Sequence, residues 1–154
     1  MVARMADRVS HWPNVRDKPG FLHRLMVELA GNTHMSLEGD LSPCRFTDDL
    51  VVTRDETAIL KRNTLVPKQD FIVVRLTPET VSPIFRQIMA AGLKRAIIHV
   101  QIERNGVLEF SACDNFHRDC IVTGPGVSAA LLDELKNKNV LRDFEVATSK
   151  RGYK

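Results

Sequence analysis

Two cysteines and a histidine lie close together in one short polar segment of the sequence. Cys113, His117 and Cys120 have the spacing C-x3-H-x2-C, and Asp114 and Asp119 lie between them. Structural zinc prefers thiolate and imidazole ligands, but it usually takes four of them as two closely spaced pairs. A fourth ligand would have to come from elsewhere in the chain, as Cys44, His34 or His99. Zinc is therefore an alternative only, and we expect no metal ion and no cofactor.

A second group of acidic residues has the side chains that a hard cation binds. Glu38 and Asp40 flank Gly39, and carboxylate oxygens are the usual ligands of calcium. The spacing matches no calcium loop, however, and carboxylates on strands usually face water. We therefore expect solvated side chains here.

The polar segment also contains the parts of an activated cysteine. A cysteine nucleophile needs a nearby base, and that base needs an orienting partner; Cys120, His117 and Asp119 are those three residue types. Neighbours in an extended segment rarely point at one another, so we expect Cys113 and Cys120 to be small, half-buried strand residues. The alternative function is a small hydrolytic or metal-assisted enzyme. It would be centred on His99, Asp114, His117, Asp119 and Cys120.

A β-hairpin is the clearest local structure that the sequence predicts. Asn105-Gly106 lies between two runs in which apolar and polar residues alternate, which is typical of a tight hairpin turn. A two-residue turn would pair Ile102 with Glu109 and bury a glutamate. A three-residue loop ending at Gly106 pairs Ile102 with Leu108 instead. We prefer the three-residue loop because it collects the apolar side chains on one face.

In that register, the opposite face of the hairpin carries His99 across from Ser111, with glutamates and Cys113 nearby. These residue types suit proton transfer, although polar side chains are also what the solvated face of an antiparallel sheet shows. We expect the core to consist of the inward residues of the clearest periodic segments. They are Leu25, Leu29, Ile72, Val74, Ile88, Ile98, Val100, Phe110 and Leu131.

The loop after the hairpin presents several polar groups together between two strands. Carboxylate, amide, imidazole and guanidinium groups on one loop suit a small polar or anionic ligand. Arg118 would be the charge partner of such a ligand, and His117 would contribute an imidazole. The predicted ligand-binding residues are His99, Asp114, Asn115, His117, Arg118 and Asp119.

A glycine-bracketed turn, Gly124-Pro125-Gly126, precedes the last helix. Backbone N–H groups of such turns can hold a phosphate. Pro125 removes one donor, however, no lysine follows, and the motif matches no known phosphate loop. We expect a tight turn with Ser128 as the helix N-cap.

Helical and strand signals alternate along the chain. Asp17 predicts the start of a helix that ends at Gly31, a second helix spans residues 82–91, and a third begins near Ser128. Residues 71–76 predict a strand buried on both faces in the middle of a sheet. The other strand candidates are residues 35–41, 49–53, 57–62 and 140–147.

These elements predict an α+β fold, with an antiparallel or mixed sheet of about five to seven strands and three helices packed mainly on one face. Residues 17–150 would form a single domain, and residues 1–16 an arm whose order the sequence leaves open. The chain has 154 residues, of which 44% are hydrophobic and 27% charged, as is typical of a globular protein.

Charge and composition also exclude some classes of function. The net charge is only +3, and the chain has one Trp and one Tyr, so nucleic-acid binding is not expected. No apolar run approaches the ~20 residues of a membrane span, and three cysteines without framework spacing favour reduced thiols in the cytoplasm. We expect a small soluble binding or regulatory protein without catalytic activity. It would act through a groove between sheet and helices, on a small ligand or a protein partner, or as a homodimer.

Overall fold

The computed structural model describes residues 9–93 and 95–147. The helices are Lys18–Leu29 (α1), Val81–Ala91 (α2) and Ala129–Asn137 (α3), and Arg118–Cys120 forms a short 3₁₀ helix. The strands are His11–Val15 (β1), Thr33–Gly39 (β2), Val51–Thr53 (β3), Asp70–Leu76 (β4), Ile97–Arg104 (β5), Val107–Ala112 (β6), Ile121–Thr123 (β7) and Leu141–Val146 (β8).

All eight strands belong to one sheet in the order β3-β4-β2-β5-β6-β7-β1-β8, and neighbouring strands are antiparallel. The α+β class is therefore confirmed, and the predicted count of five to seven strands was too low. One reason is β1, which lies between β7 and β8 although its residues belong to the predicted N-terminal arm. Residues 1–8 of that arm and residues 148–150 of the predicted domain lie outside the described residues.

The helix boundaries follow the predicted caps closely because capping is a local interaction. Asp17 Oδ1 accepts a hydrogen bond from the backbone N–H of Gly20 at 3.0 Å and begins α1. Ser128 Oγ accepts one from Leu131 N–H at 3.1 Å and begins α3. Helix α2 ends at Gly92, whose φ of 101° is a conformation that residues with a side chain rarely adopt.

The three helices share one apolar core with one face of the sheet. Phe21, Leu25, Ile88 and Leu132 of the helices are fully buried in this core beside side chains such as Val100. Of the predicted core residues, only Ile98 is not buried. A bulge in the β2–β5 pairing lets Ile97 face the core in its place. In the described ranges, no helix is long and apolar enough to cross a membrane. The cytoplasmic location and the homodimer stay predictions.

The hairpin does not have the predicted register. Asn105 and Gly106 have φ values of 54° and 79°, so the turn has two residues, and Arg104 pairs with Val107. Positive φ at both positions matches the right-handed twist of the flanking strands. A bulge then shifts the pairing, so that Ile102 lies opposite Phe110 and not opposite Leu108. The predicted three-residue loop was therefore wrong, because a bulge restores the apolar face after a two-residue turn.

The face of the sheet away from the helices is covered by an irregular segment, residues 54–69. Residues 57–62 were predicted as a strand, but they form none. Instead Leu60 is fully buried and packs with Phe71 and Val73 of β4 in a small second cluster. The prediction that β4 is buried on both faces is therefore confirmed. The backbone of the covering segment lies above the polar side chains of β2 and β5.

Candidate functional site

Three adjacent strands bring a glutamate, a histidine and a serine into one hydrogen-bonded chain beneath this covering segment. Glu38 on β2 lies directly opposite His99 on β5. Nδ1 of His99 is 3.1 Å from Oε1 of Glu38, and Nε2 is 3.3 Å from Oγ of Ser111 on β6. Ser111 pairs directly with Gln101 and not with His99 as predicted. The hydroxyl therefore reaches the imidazole diagonally across the two strands.

The Glu38 carboxylate is held by the backbone of the covering segment. Its Oε1 accepts a hydrogen bond from Asn63 N–H at 2.7 Å, and its Oε2 accepts one from Thr64 N–H at 3.1 Å. The side chain is fully buried, whereas it was expected to face water. Hydrogen bonds from two amides and an imidazole compensate the loss of hydration that a buried carboxylate suffers.

A second buried side chain fixes the covering segment in place. Oε1 of Gln101 accepts hydrogen bonds from Lys61 N–H at 3.0 Å and from the Ser36 hydroxyl at 3.3 Å. Because Gln101 follows His99 by two residues on β5, both side chains lie on the same face. The covering segment is therefore held by the side chains of Glu38 and Gln101, which lie beside the His99 ring.

Burial lowers the pKa of His99 below its ordinary value, and the hydrogen bond and charge of Glu38 oppose this shift only in part. The imidazole is 5% exposed, and removing it from water disfavours the charged form. In the neutral ring, the Glu38 carboxylate favours the tautomer that carries its proton on Nδ1. Nε2 is then a lone-pair acceptor for the Ser111 hydroxyl.

Ser111 opens onto a cavity of about 280 Å³, which we call the polar cavity. Its walls include Lys61, Asn63, His99, Gln101, Ser111 and Cys113. The rest of the lining consists of Trp12, Arg62, Asp119, Cys120, Ile121 and Val122. The cavity thus presents one hydroxyl, one imidazole and charges of both signs to a small molecule.

The thiol of Cys113 is a hydrogen-bond donor in this cavity rather than a nucleophile. Burial, together with the interaction with Cys120, raises its pKa to about 12. Its Sγ donates to the backbone carbonyl of Cys120 at 3.8 Å. Because the thiolate is the reactive form of cysteine, Ser111 is the more suitable nucleophile here.

The predicted site residues are divided between different surroundings. His99, Asp119 and Cys120 all line the polar cavity. His117 is exposed, and its Nδ1 accepts a hydrogen bond from Asp119 N–H at 3.2 Å. Asp114 is also exposed, and Asn115 donates its backbone N–H to the Ile98 carbonyl.

The conformation of this loop accounts for that division. Asp114, Asn115 and Phe116 have φ values of 51°, 57° and 61°, a left-handed run that is costly for residues other than glycine. Phe116 is fully buried and lies 6.0 Å from the Phe110 ring, centroid to centroid. Burial of this aromatic ring holds the left-handed turn in place.

Arg118 lies at a different cavity, of about 350 Å³, which we call the basic cavity. Lys18 at the start of α1 and Arg142 on β8 line it together with Arg118. Arg142 Nη1 also donates to the carbonyl of Val15 at 3.2 Å. A larger cavity of about 600 Å³ lies around Arg54 and Lys68, but its charged lining consists mainly of exposed side chains.

The glycine-bracketed turn holds an anion that belongs to the protein itself. The Glu109 carboxylate accepts a hydrogen bond from Gly126 N–H at 2.7 Å. A Cβ atom at Gly126 would overlap this carboxylate, so the glycine makes room for it. The structure therefore has a carboxylate at the place where a phosphate loop would hold a ligand.

Within residues 9–93 and 95–147, no three His, Cys, Asp or Glu side chains converge as metal ligands. The zinc alternative built on Cys113, His117 and Cys120 is therefore not assembled in this arrangement, since His117 is directed to the backbone of Asp119.

Sequence reasoning placed His99 near Ser111, but it placed neither Glu38 nor the covering segment beside them. The alternation of Ser36 and Glu38 along β2 was a usable signal, but only once β2 is known to lie beside β5. Comparisons with known proteins add nothing further: the chain matches no protein-family model, no curated protein and no solved structure.

Proposed function

We propose that this protein binds a small polar ligand, neutral or carrying one negative charge, in the polar cavity. The observation that carries this proposal is the pairing of two fully or nearly fully buried ionisable side chains, Glu38 and His99, with a hydroxyl that opens onto the cavity. Buried polar groups that converge on a concave surface are the usual mark of a ligand site. The predicted alternative of a groove between sheet and helices is less suitable, because that space is filled by the apolar core.

The charges around the cavity favour a carboxylate over a cation. Lys61 and Arg62 line the cavity together with Asp119, whose carboxylate lies 3.9 Å from the Arg118 guanidinium. Both oxygens of Glu38 already accept hydrogen bonds. The Ser111 hydroxyl and the Lys61 ammonium can each donate a hydrogen bond to a bound oxygen. A small carboxylate or an amide of similar shape fits this set of groups.

The experiment is a titration of ¹⁵N-labelled protein with acetate and, separately, with acetamide. We expect saturable changes in the amide resonances of Asn63, Gln101 and Ser111, with a Kd of about 1 mM or weaker, because so small a ligand supplies only about 4 kcal/mol. Lys61→Ala should weaken acetate binding several-fold and leave acetamide binding nearly unchanged. Lys136→Ala, at an exposed lysine of α3, is the matched control. Shifts that do not saturate, or that occur away from the cavity, would contradict the proposal.

A second candidate function is anion binding at the basic cavity. It is favoured by the convergence of Lys18, Arg118 and Arg142 on one concavity, and Arg118 is the charge partner that the sequence suggested. Three cations in reach of one site suit a phosphate or sulfate group.

Inorganic phosphate is the probe for this second candidate. If the basic cavity binds it, phosphate should raise the melting temperature at constant ionic strength, and Arg118→Ala should remove most of that increase. Arg86→Ala, on the exposed side of α2, is the control, and His117→Ala tests whether the rest of the loop takes part. Equal effects of Arg86→Ala and Arg118→Ala would show that the stabilisation is not site-specific and would exclude this candidate.

A further inference from the structure

We infer that Ser111 is a nucleophile and that the polar cavity cleaves small esters by acyl transfer through Ser111, His99 and Glu38. This inference rests on the proposed binding function, since the ester must first enter the polar cavity. It adds a reaction to that cavity and names the substrate class.

The geometry supplies each part that nucleophilic catalysis by a hydroxyl needs. Ser111 Oγ is 3.3 Å from Nε2 of His99, and Nδ1 of the same ring is 3.1 Å from Glu38 Oε1. A hydroxyl becomes a nucleophile when an adjacent base accepts its proton, and the base is effective when a third group orients it. Glu38 is fixed for this purpose by the Asn63 and Thr64 amides.

The first half of the reaction forms an acyl-serine. Ser111 Oγ attacks the carbonyl carbon of the ester while the hydroxyl proton moves to Nε2 of His99. The tetrahedral intermediate then collapses, the bond from carbon to the ester oxygen breaks, and His99 returns the proton to the departing alcohol. Asn63 and Lys61 line the same cavity and carry the amide and ammonium donors suited to the negative charge that develops on the carbonyl oxygen.

The second half uses water as the co-reactant. His99 takes a proton from a water molecule whose oxygen attacks the acyl carbon, and the bond from that carbon to Ser111 Oγ breaks. The proton returns to Ser111, and a carboxylic acid leaves. Glu38 is a positioning residue throughout, because it touches only the imidazole and stabilises the imidazolium that forms in each half.

The protonation state of His99 is suited to this role at neutral pH. Burial favours the neutral ring, which has a free lone pair on Nε2. Glu38 lies on the Nδ1 side of the ring, and the ionisable groups that line the polar cavity with His99 are Lys61, Arg62, Cys113, Asp119 and Cys120. Of these, Glu38 is in direct hydrogen-bonded contact with the ring.

An alkyl fluorophosphonate is the probe for the nucleophile. In its reaction the bond from Ser111 Oγ to phosphorus forms, the bond from phosphorus to fluorine breaks, and the hydroxyl proton passes to His99. The folded full-length protein is labelled and then digested, and we expect mass spectrometry of the peptides to find the adduct on Ser111. Ser111→Ala, which changes the site least, should lose it, and Ser82→Ala, at an exposed serine of α2, should retain it.

A pH profile separates catalysis from a structural role of the polar chain. The labelling rate of Ser111 should fall below neutral pH as His99 becomes protonated, and His99→Ala should lower the rate by about 100-fold or more and abolish the pH dependence. Glu38→Gln should move the midpoint of the profile to lower pH, because the carboxylate favours the protonated ring. A purely structural role of Glu38 would leave that midpoint unchanged in the folded fraction.

The two proposals fail separately. If acetate and acetamide bind in the cavity but wild-type protein acquires no adduct on Ser111, the nucleophile inference is wrong and the binding function stands. If neither binding nor labelling occurs in protein that melts cooperatively, both are wrong. An adduct that forms equally in the His99→Ala variant would also overturn the assigned mechanism.

Discussion

The carboxylate of Glu109 accepts a hydrogen bond from the backbone N–H of Gly126, with 2.7 Å between the two atoms. Glu109 is 5% exposed and is the extra residue of the bulge in β6. Its own carbonyl accepts a hydrogen bond from Gly124 N–H at 2.8 Å. The bulge therefore joins the hairpin to the turn before α3 through both the backbone and the side chain of one residue.

Replacing Glu109 by leucine should destabilise the protein by about 1–3 kcal/mol, because the partly buried Gly126 N–H would lose its acceptor. Urea denaturation measures this change. Glu28→Ala, at an exposed helix position, is the matched control and should change the unfolding free energy by less than about 0.5 kcal/mol. Equal stability of the Glu109 variant and the wild type would show that water replaces the carboxylate at no cost.

Stability should fall as the pH is lowered from about 7.5 to about 5.5. Burial lowers the pKa of His11 and of His99 below the ordinary value of 6.5. The unfolded chain therefore takes up protons on these residues at a higher pH than the folded chain does. The loss begins near the unfolded pKa and continues until the folded residues titrate.

Urea denaturation at the two pH values tests this, and His11→Leu is the informative variant. Among the described residues, Nδ1 of His11 has no hydrogen-bond partner, and the same is true of the Thr123 hydroxyl opposite it. Leucine should reduce the pH dependence without a large loss of stability at neutral pH. An unchanged pH dependence in this variant would mean that His11 contributes nothing to it.

Phe110→Ala should destabilise the protein by about 3–5 kcal/mol, the range for removing a fully buried aromatic ring. The Phe110 ring is 1% exposed. Its centroid lies 5.9 Å from that of Phe21 and 6.0 Å from that of Phe116. Thermal and urea unfolding measure the loss, and Leu65→Ala, at an exposed leucine, is the control. A cost below about 1 kcal/mol would contradict the central place of Phe110 in the core.

Gly106→Val should cost about 1 kcal/mol or more, because a β-branched residue resists the φ of 79° that the hairpin turn requires at this position. No atom lies within 4 Å of the place of a Cβ at Gly106, so the effect would come from the backbone and not from a clash. Asn105→Gly, at the neighbouring position with a φ of 54°, should be tolerated. Should both variants melt at the wild-type temperature, the turn would not be a determinant of stability.

The features that sequence predicted well are those set by residues close together in the chain. The caps of α1 and α3 depend on Asp17 and Ser128 bonding to amides three residues later. The apolar stripe of α1 is set by helical spacing alone. The double burial of β4 follows from its continuous apolar run.

The features that sequence could not predict depend on distant partners. The two-residue turn was rejected because it buries Glu109. The sequence did not show that this carboxylate accepts a hydrogen bond from Gly126, which lies in the distant turn before α3. Glu38 meets His99 only because β2 lies beside β5, and the covering segment has no periodicity that would predict its position. The sequence therefore predicted His99 and Ser111 as neighbours in the candidate site. It did not predict the buried carboxylate of Glu38 or the covering segment.

Strand β1 has a consequence for the order of events during synthesis. His11 pairs with Thr123 of β7 and with Val146 of β8. Strand β1 is synthesised early, but it can form its sheet hydrogen bonds only after β7 and β8 have been synthesised. Folds dominated by such distant pairings form slowly, since a long loop must close before any contact stabilises it. The β1–β8 edge of the sheet can therefore form only after β8 has left the ribosome. Until then Val15 lacks Leu141, its partner on β8, and this part of the apolar core stays incomplete.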